Sequence, residues 1–202
     1  MSGSPITASG RRRRGPRKAT EKSLKNAAFF YLARFDASAE KVRRVLLGRV
    51  VRSARAHGTD AKEGRRIAES VIAKLLGLGL LDDRAYGERR AAALHRRGTP
   101  IRVIARRLTS DGVAADDIDA ALASLAGNAA DLDLAAAVAY ARRRRLGPYR
   151  IRLADPGVRA KELAAFSRAG FGYAVALRVV DTASAEALDR VAADLDEERK
   201  MG

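Results

Sequence analysis

Apolar residues in this chain recur at the three-to-four-residue spacing of a helix wherever a pattern can be read, and no stretch alternates as a strand would. The clearest case lies at the centre. Thr99 reads as an N-cap and Pro100 as the first helical residue, followed by Ile101, Ile104, Ala105 and Leu108 on one face and Gly112 as the stop. Leu24, Ala27, Ala28, Tyr31, Leu32 and Phe35 make an earlier stripe. Val42, Val45, Leu46 and Val50 make a second, opened by Ser38, and Ile67, Val71, Ile72, Leu75 and Leu76 a third, ending at Gly77-Leu78-Gly79. Asp82 opens a helix through Tyr86, Arg90 and Leu94. Ile118, Ala121, Leu122 and Leu125 repeat the spacing behind Asp116 and Asp117, which suit the positive end of a helix dipole. Further helices are predicted over 131–145, 158–169, 173–181 and 184–199. The fold class is all-α. Composition agrees, because 47% hydrophobic residues with only 5% aromatics and no Trp leave Ala, Leu and Val to build the core.

Several chemistries are excluded. Without Cys there is no disulfide scaffold, thiol nucleophile or iron–sulfur cluster. His57 and His95 are too few and too far apart for a metal centre, and His95, between Leu94 and Arg96, reads as a surface or boundary residue. Gly77-Leu78-Gly79 lacks the third glycine of a dinucleotide loop and follows a helix rather than a strand. Asp82–Asp83 and Asp116–Asp117 read as caps and dipole partners at helix starts, not as catalytic carboxylates. No window is apolar enough to span a membrane, and the opening residues lack the apolar core of a secretory signal. The sequence nominates no catalytic residue, cofactor or metal ligand, and the expectation is a soluble, cytoplasmic, non-enzymatic monomer.

Charge points to a partner. Lys and Arg number 40 against 24 Asp and Glu, a net +16. Residues 1–22 hold Arg11, Arg12, Arg13, Arg14, Arg17, Lys18 and Lys22 against Glu21 alone. They read as a disordered basic tail, either a solvated extension or an arm drawn to nucleic acid by counterion release. The rest of the excess gathers mid-chain. Arg89, Arg90, Arg96 and Arg97 precede Arg102, Arg106 and Arg107, and Arg102 and Arg106 lie opposite Ile101, Ile104 and Leu108. Arg142, Arg143, Arg144, Arg145, Arg150 and Arg152 form a second group. These thirteen are the candidate partner- and DNA-binding residues, set against the plainer reading of solvated helix faces. The stretch from Asp181 to Lys200 is acidic by comparison.

The chain also repeats. Tyr31, Tyr86 and Tyr140 stand at near-equal intervals, each followed three residues on by Arg34, Arg89 or Arg143, and their apolar positions favour core packing over base stacking. Leu108-Thr-Ser-Asp-Gly112-Val113 resembles Phe166-Ser-Arg-Ala-Gly170-Phe171. Three three-helix units are therefore predicted, over 23–81 with a polar insertion at 53–66, over 82–128 and over 129–181. A C-terminal acidic helix follows at 182–202. Tandem bundles of this kind would form an elongated, curved array.

Gly79-Leu80-Leu81-Asp82-Asp83-x-x-Tyr86 resembles the linker signature of the RecX family, bacterial regulators of the RecA recombinase. So does Arg97-Gly98-x-Pro100-x-x-Ile104-x-x-x-Leu108 with Gly112-Val113. Tyr140-Ala-Arg-Arg-Arg-Arg-Leu-Gly147-Pro148-Tyr149 and Arg168-Ala-Gly170-Phe171-x-Tyr173 are similar to the same family. The resemblance spans about residues 23–181 in order; the basic tail, the insertion and the acidic end depart from it. It implies binding along the groove of a RecA nucleoprotein filament, with inhibition of ATP hydrolysis, strand exchange and co-protease activity, and weak binding to single- or double-stranded DNA. The competing reading is a helix-turn-helix-like DNA- or RNA-binding protein that acts without a recombinase.

Overall fold

A computed structural model describes residues 15–151 and 157–201. Its described residues form ten α-helices and a 3-10 turn, with no strand. The helices are α1 Glu21–Leu32, α2 Ala39–His57, α3 Ala61–Gly77, α4 Asp83–Arg96, α5 Ile101–Ser110, α6 Ala115–Ala123, α7 Ala129–Arg144, α8 Val158–Ala169, α9 Tyr173–Val180 and α10 Ala185–Met201, with the turn at Gly147–Tyr149. The all-helical expectation holds. The described residues fall into two compact units: one combines those up to Phe35 with Val42–Gly77, the other Asp36–Lys41 with those from Leu78 onward.

In the first unit Leu24, Ala27 and Ala28 of α1 pack with Val71, Ile72 and Leu75 of α3, and Leu46 and Val50 of α2 are equally buried. Gly64 lets α3 approach α2, because a Cβ there would sit 2.6 Å from a Val50 methyl. The predicted insertion at 53–66 is therefore largely helical, the end of α2 and the start of α3, with Ser53 fully buried. The sequence expects a tail to residue 22. Residues 1–14, with Arg11–Arg14, lie outside the described residues, whereas Thr20 caps α1 by a reciprocal capping box with Ser23. Residues 15–22 of that expected tail are described, and α1 takes in its last two.

The second unit holds two hydrophobic clusters. Tyr86, Ala91 and Leu94 of α4, Ile104 and Leu108 of α5 and Ile118 and Ala121 of α6 share one. Leu134, Ala137, Val138 and Ala141 of α7, Phe166 of α8, Phe171 between α8 and α9, Val179 and Val180 of α9, and Leu188 of α10 share the other. Tyr140 joins Phe166 and Phe171 with ring centroids 5.2 to 5.5 Å apart, an edge-on arrangement that favours the ring quadrupoles.

One backbone device closes four of these helices. The amide of the residue just past the turn bonds five residues back, Thr99 to Leu94, Val113 to Leu108, Leu146 to Ala141 and Phe171 to Phe166, while the residue before it has a positive φ. That left-handed position is Gly98, Gly112 and Gly170 in three cases, and Arg145 at φ 57 in the fourth. Gly98 does more than turn the chain. A Cβ there would lie 2.5 Å from the Tyr140 nitrogen and 2.8 Å from the Ala136 carbonyl oxygen, so α4 ends in backbone contact with α7. α5 then begins under α7: the predicted Thr99 cap is replaced by Pro100, and Asp133 Oδ1 on α7 accepts the Ile101 N–H at 2.8 Å. The fold, not the adjacent residue, supplies that cap.

The two kinds of left-handed residue predict opposite outcomes. Gly98→Ala puts a methyl group into a backbone at a conformation that disfavours it, and should cost about 3 kcal/mol in chemical denaturation. Arg145→Gly removes the Cβ penalty and should gain about 1 kcal/mol. Equal effects of the two substitutions would contradict this account.

Candidate functional site

The candidate arginines divide by what their guanidinium groups already hold. Arg89 forms a two-pronged pair with Asp36, at 2.8 and 3.1 Å. Arg142 reaches Asp189 at 2.6 Å and lies over the Tyr149 ring, whose hydroxyl donates to the same carboxylate. Arg150 clamps Glu162 at 2.6 and 3.1 Å, and Glu162 is buried. Breaking that last pair would strand a buried carboxylate, at a cost of about 3 kcal/mol. The exposed pairs contribute far less. Arg102, expected to point freely from α5, instead donates its Nε–H to the Gly170 carbonyl at 2.6 Å and ties α5 to the end of α8.

Arg90 belongs to a polar knot. Lys41 Nζ donates to the Tyr86 hydroxyl oxygen and to Asp111 Oδ2 at 2.7 Å, and the Tyr86 hydroxyl donates to the same Asp111 oxygen at 2.7 Å. Arg90 stands 3.8 Å away, its Nε buried without a hydrogen bond. The Ser38 hydroxyl donates to the Asp111 carbonyl, and Asp83 Oδ1 accepts the Ala39 N–H at 2.7 Å, so α2 starts against α4 and the end of α5. Asp82 caps α4 through the Ala85 N–H at 2.9 Å, as expected from its place. Tyr86 is fully buried, a core residue with a polar handle. The Tyr-x-x-Arg markers serve three different contacts: Arg89 meets Asp36, Arg143 lies over the Tyr140 ring at 5.9 Å, and Arg34 lies over Phe30 rather than Tyr31.

The remaining cations are untied. Arg96 and Arg97 at the end of α4, Arg106 and Arg107 toward the end of α5, and Arg144 and Arg145 at the end of α7 are exposed, with no ion pair or hydrogen bond from their side chains among the described residues. Each pair sits near a helix C-terminus, where the dipole favours positive charge. Arg152 lies outside the described residues. Lys161, Arg168 and Arg178 are exposed and untied in the same way and are not among the candidate binding residues read from sequence, because isolated cations on α8 and α9 leave no cluster to read.

His95 corrects the sequence expectation. It is buried, and its Nε2 lies 2.8 Å from the Leu132 carbonyl oxygen, which docks α4 on α7. No group of three or more metal-ligating side chains occurs among the described residues, and no described helix is long and apolar enough to cross a membrane.

Burial alone would raise the Asp111 carboxyl, but the hydrogen bonds from Lys41 and Tyr86 and the charge of Arg90 outweigh it and hold the group below the ordinary carboxylate value. Burial and the adjoining carboxylate push the Tyr86 hydroxyl well up, so it stays a donor at neutral pH. Because the folded value of Asp111 lies below the unfolded one, near about 3.9, its stabilisation is complete above that pH and fades as acid protonates the folded group. Asp111→Asn should therefore cost about 2 kcal/mol in urea unfolding at pH 7, and the gap to the parent should narrow below about pH 4. A gap of constant size down to pH 2.5 would exclude this role.

Fold and site define a class: a basic protein, all-helical among the described residues, whose acids tie down one subset of arginines and leave three arginine pairs exposed near helix ends. The chain belongs to the RecX family. It is 39% identical over 171 residues to the "Regulatory protein RecX" of Myxococcus xanthus (strain DK1622), covering 83% of this chain and 89% of that one. It is 35% identical over 125 residues to the protein of the same name from Agrobacterium fabrum (strain C58), covering 62% of this chain and 65% of that one. No family model and no solved structure matches the chain.

Proposed function

We propose that the chain regulates the RecA recombinase by lying along the groove of the RecA–DNA filament, as three tandem three-helix units in an elongated, curved array that acts as a monomer and does no chemistry of its own. In that position it inhibits ATP hydrolysis, strand exchange and co-protease activity, and it binds naked DNA only weakly. Family membership supports the partner. The observation that carries the mechanism is the untied state of Arg96–Arg97, Arg106–Arg107 and Arg144–Arg145 in a chain of net charge +16.

Such pairs gain most where water is displaced by a carboxylate or phosphate, since an unpaired guanidinium loses no existing partner on binding. Several weak contacts spaced along a polymer then combine through effective concentration. Arg89, Arg102, Arg142 and Arg150 act differently: their cations are already matched, so they hold the helices that display the others. Arg143 and Arg152 stand with the binding group.

Added to recombinase assembled on single-stranded DNA, the protein should suppress ATP hydrolysis and co-sediment with the filament. Reversing Arg106 and Arg107 together (R106E/R107E) should weaken both by about tenfold or more with helical content unchanged. Unchanged hydrolysis and no co-sedimentation would overturn the proposal, and DNA binding without either effect would favour a recombinase-independent nucleic-acid protein.

A further inference from the structure

The segment ahead of α1 is strapped to the first unit. The Ala19 N–H donates to the Oγ of buried Ser53 at 2.9 Å, the Pro16 carbonyl oxygen lies 2.6 Å from His57 Nε2, and Ser23 Oγ donates to the Lys18 carbonyl at 2.6 Å. Strap, α1 and α2 enclose a cavity of about 400 Å³. Arg17, Arg49 and Arg52 line it, and no acidic side chain does. None of the three has an ion pair among the described residues, and Arg49 Nε is buried without any hydrogen-bond partner. An N–H removed from water and left unmatched is a cost that an acceptor oxygen entering the cavity would remove. The helix terminus is not the source of attraction, because the capping box already occupies the Thr20 and Ser23 amides.

The cavity wall has an aromatic side. Phe30 lines it and remains 60% exposed, with the Arg34 guanidinium over its ring at 4.6 Å. In a chain with 5% aromatics, an exposed ring beside three unmatched guanidinium groups is not core economy. Asn26, also on the wall, offers an amide donor and acceptor.

We propose that this cavity binds the phosphate group of a nucleotide, with the base stacked against Phe30. Three cations exceed what one carboxylate neutralises and suit a phosphate with several acceptor oxygens, while a flat ring on Phe30 completes a stacking platform of the kind that tolerates any base. The inference is independent of the recombinase reading, since none of its residues is among the candidate arginines.

The full chain is titrated with thymidine 5′-monophosphate, with inorganic phosphate, and with a short oligothymidylate lacking terminal phosphates. Affinity is read by calorimetry, and the Arg49 Nε–H resonance by NMR. The resonance should shift, and the preferred nucleotide should bind about tenfold more tightly than inorganic phosphate. Arg52→Ala, at an exposed position, should weaken every ligand by about tenfold, and Arg49→Lys, which keeps the charge but lacks the Nε, should weaken them as well. Phe30→Ala should weaken the nucleotides and leave inorganic phosphate unchanged. Tighter binding of the monophosphate identifies a free nucleotide, and tighter binding of the oligomer a single-stranded backbone. A resonance that moves with no ligand, undiminished affinity in Arg52→Ala with unchanged helicity, or phosphate binding as tight as nucleotide would overturn the proposal. R106E/R107E should bind all three ligands as the parent does, so failure here and failure of the recombinase reading are read separately.

Discussion

A helix can be followed at once by another only if its last carbonyls are satisfied while the chain reverses, and the left-handed cap solves both problems in the same six residues. Four helices of the second unit use it. Because the residue at the turn is glycine in three of them, the helix end has no side chain to keep neighbours away. α7 passes in backbone contact over Gly98, and Val103 of α5 lies where a Gly170 Cβ would be. The caps therefore set both the turn and the distance at which the next helix packs. Arg145 shows the alternative, a left-handed residue that keeps a cation at the end of α7 at the expense of backbone comfort.

Electrostatics are arranged by the same economy. With 24 acids for 40 cations, not every cation can be matched one to one, so the placement of the acids decides which surface stays positive. Asp36, Asp111, Glu162 and Asp189 each draw in an arginine or lysine from another part of the chain. Asp133 and Asp83 are spent on capping helices that start elsewhere. The unmatched candidate arginines include three pairs near the ends of α4, α5 and α7, where the dipole lowers the cost of crowding like charges.

Much of this was legible. Helical spacing located α5 through α9 to within a few residues, and the segments Leu108–Val113 and Phe166–Phe171, alike in sequence, share the same cap. Asp82 reads as a cap and is one. The errors share a cause. Thr99 looks like the cap of α5, and His95 looks like a surface residue, because local sequence cannot show that α7 passes above both and offers Asp133 and the Leu132 carbonyl. Arg102 looks free because its partner, the Gly170 carbonyl, lies 68 residues further along the chain.

The sequence by itself determined which residues turn inward along each helix and where the chain must bend, since periodicity and glycine act over a handful of neighbours. Only the tertiary structure decided which cations are occupied. Ion pairs such as Arg142–Asp189 and Arg89–Asp36 join positions 47 and 53 residues apart, a separation over which no local rule operates and only packing brings charges into contact.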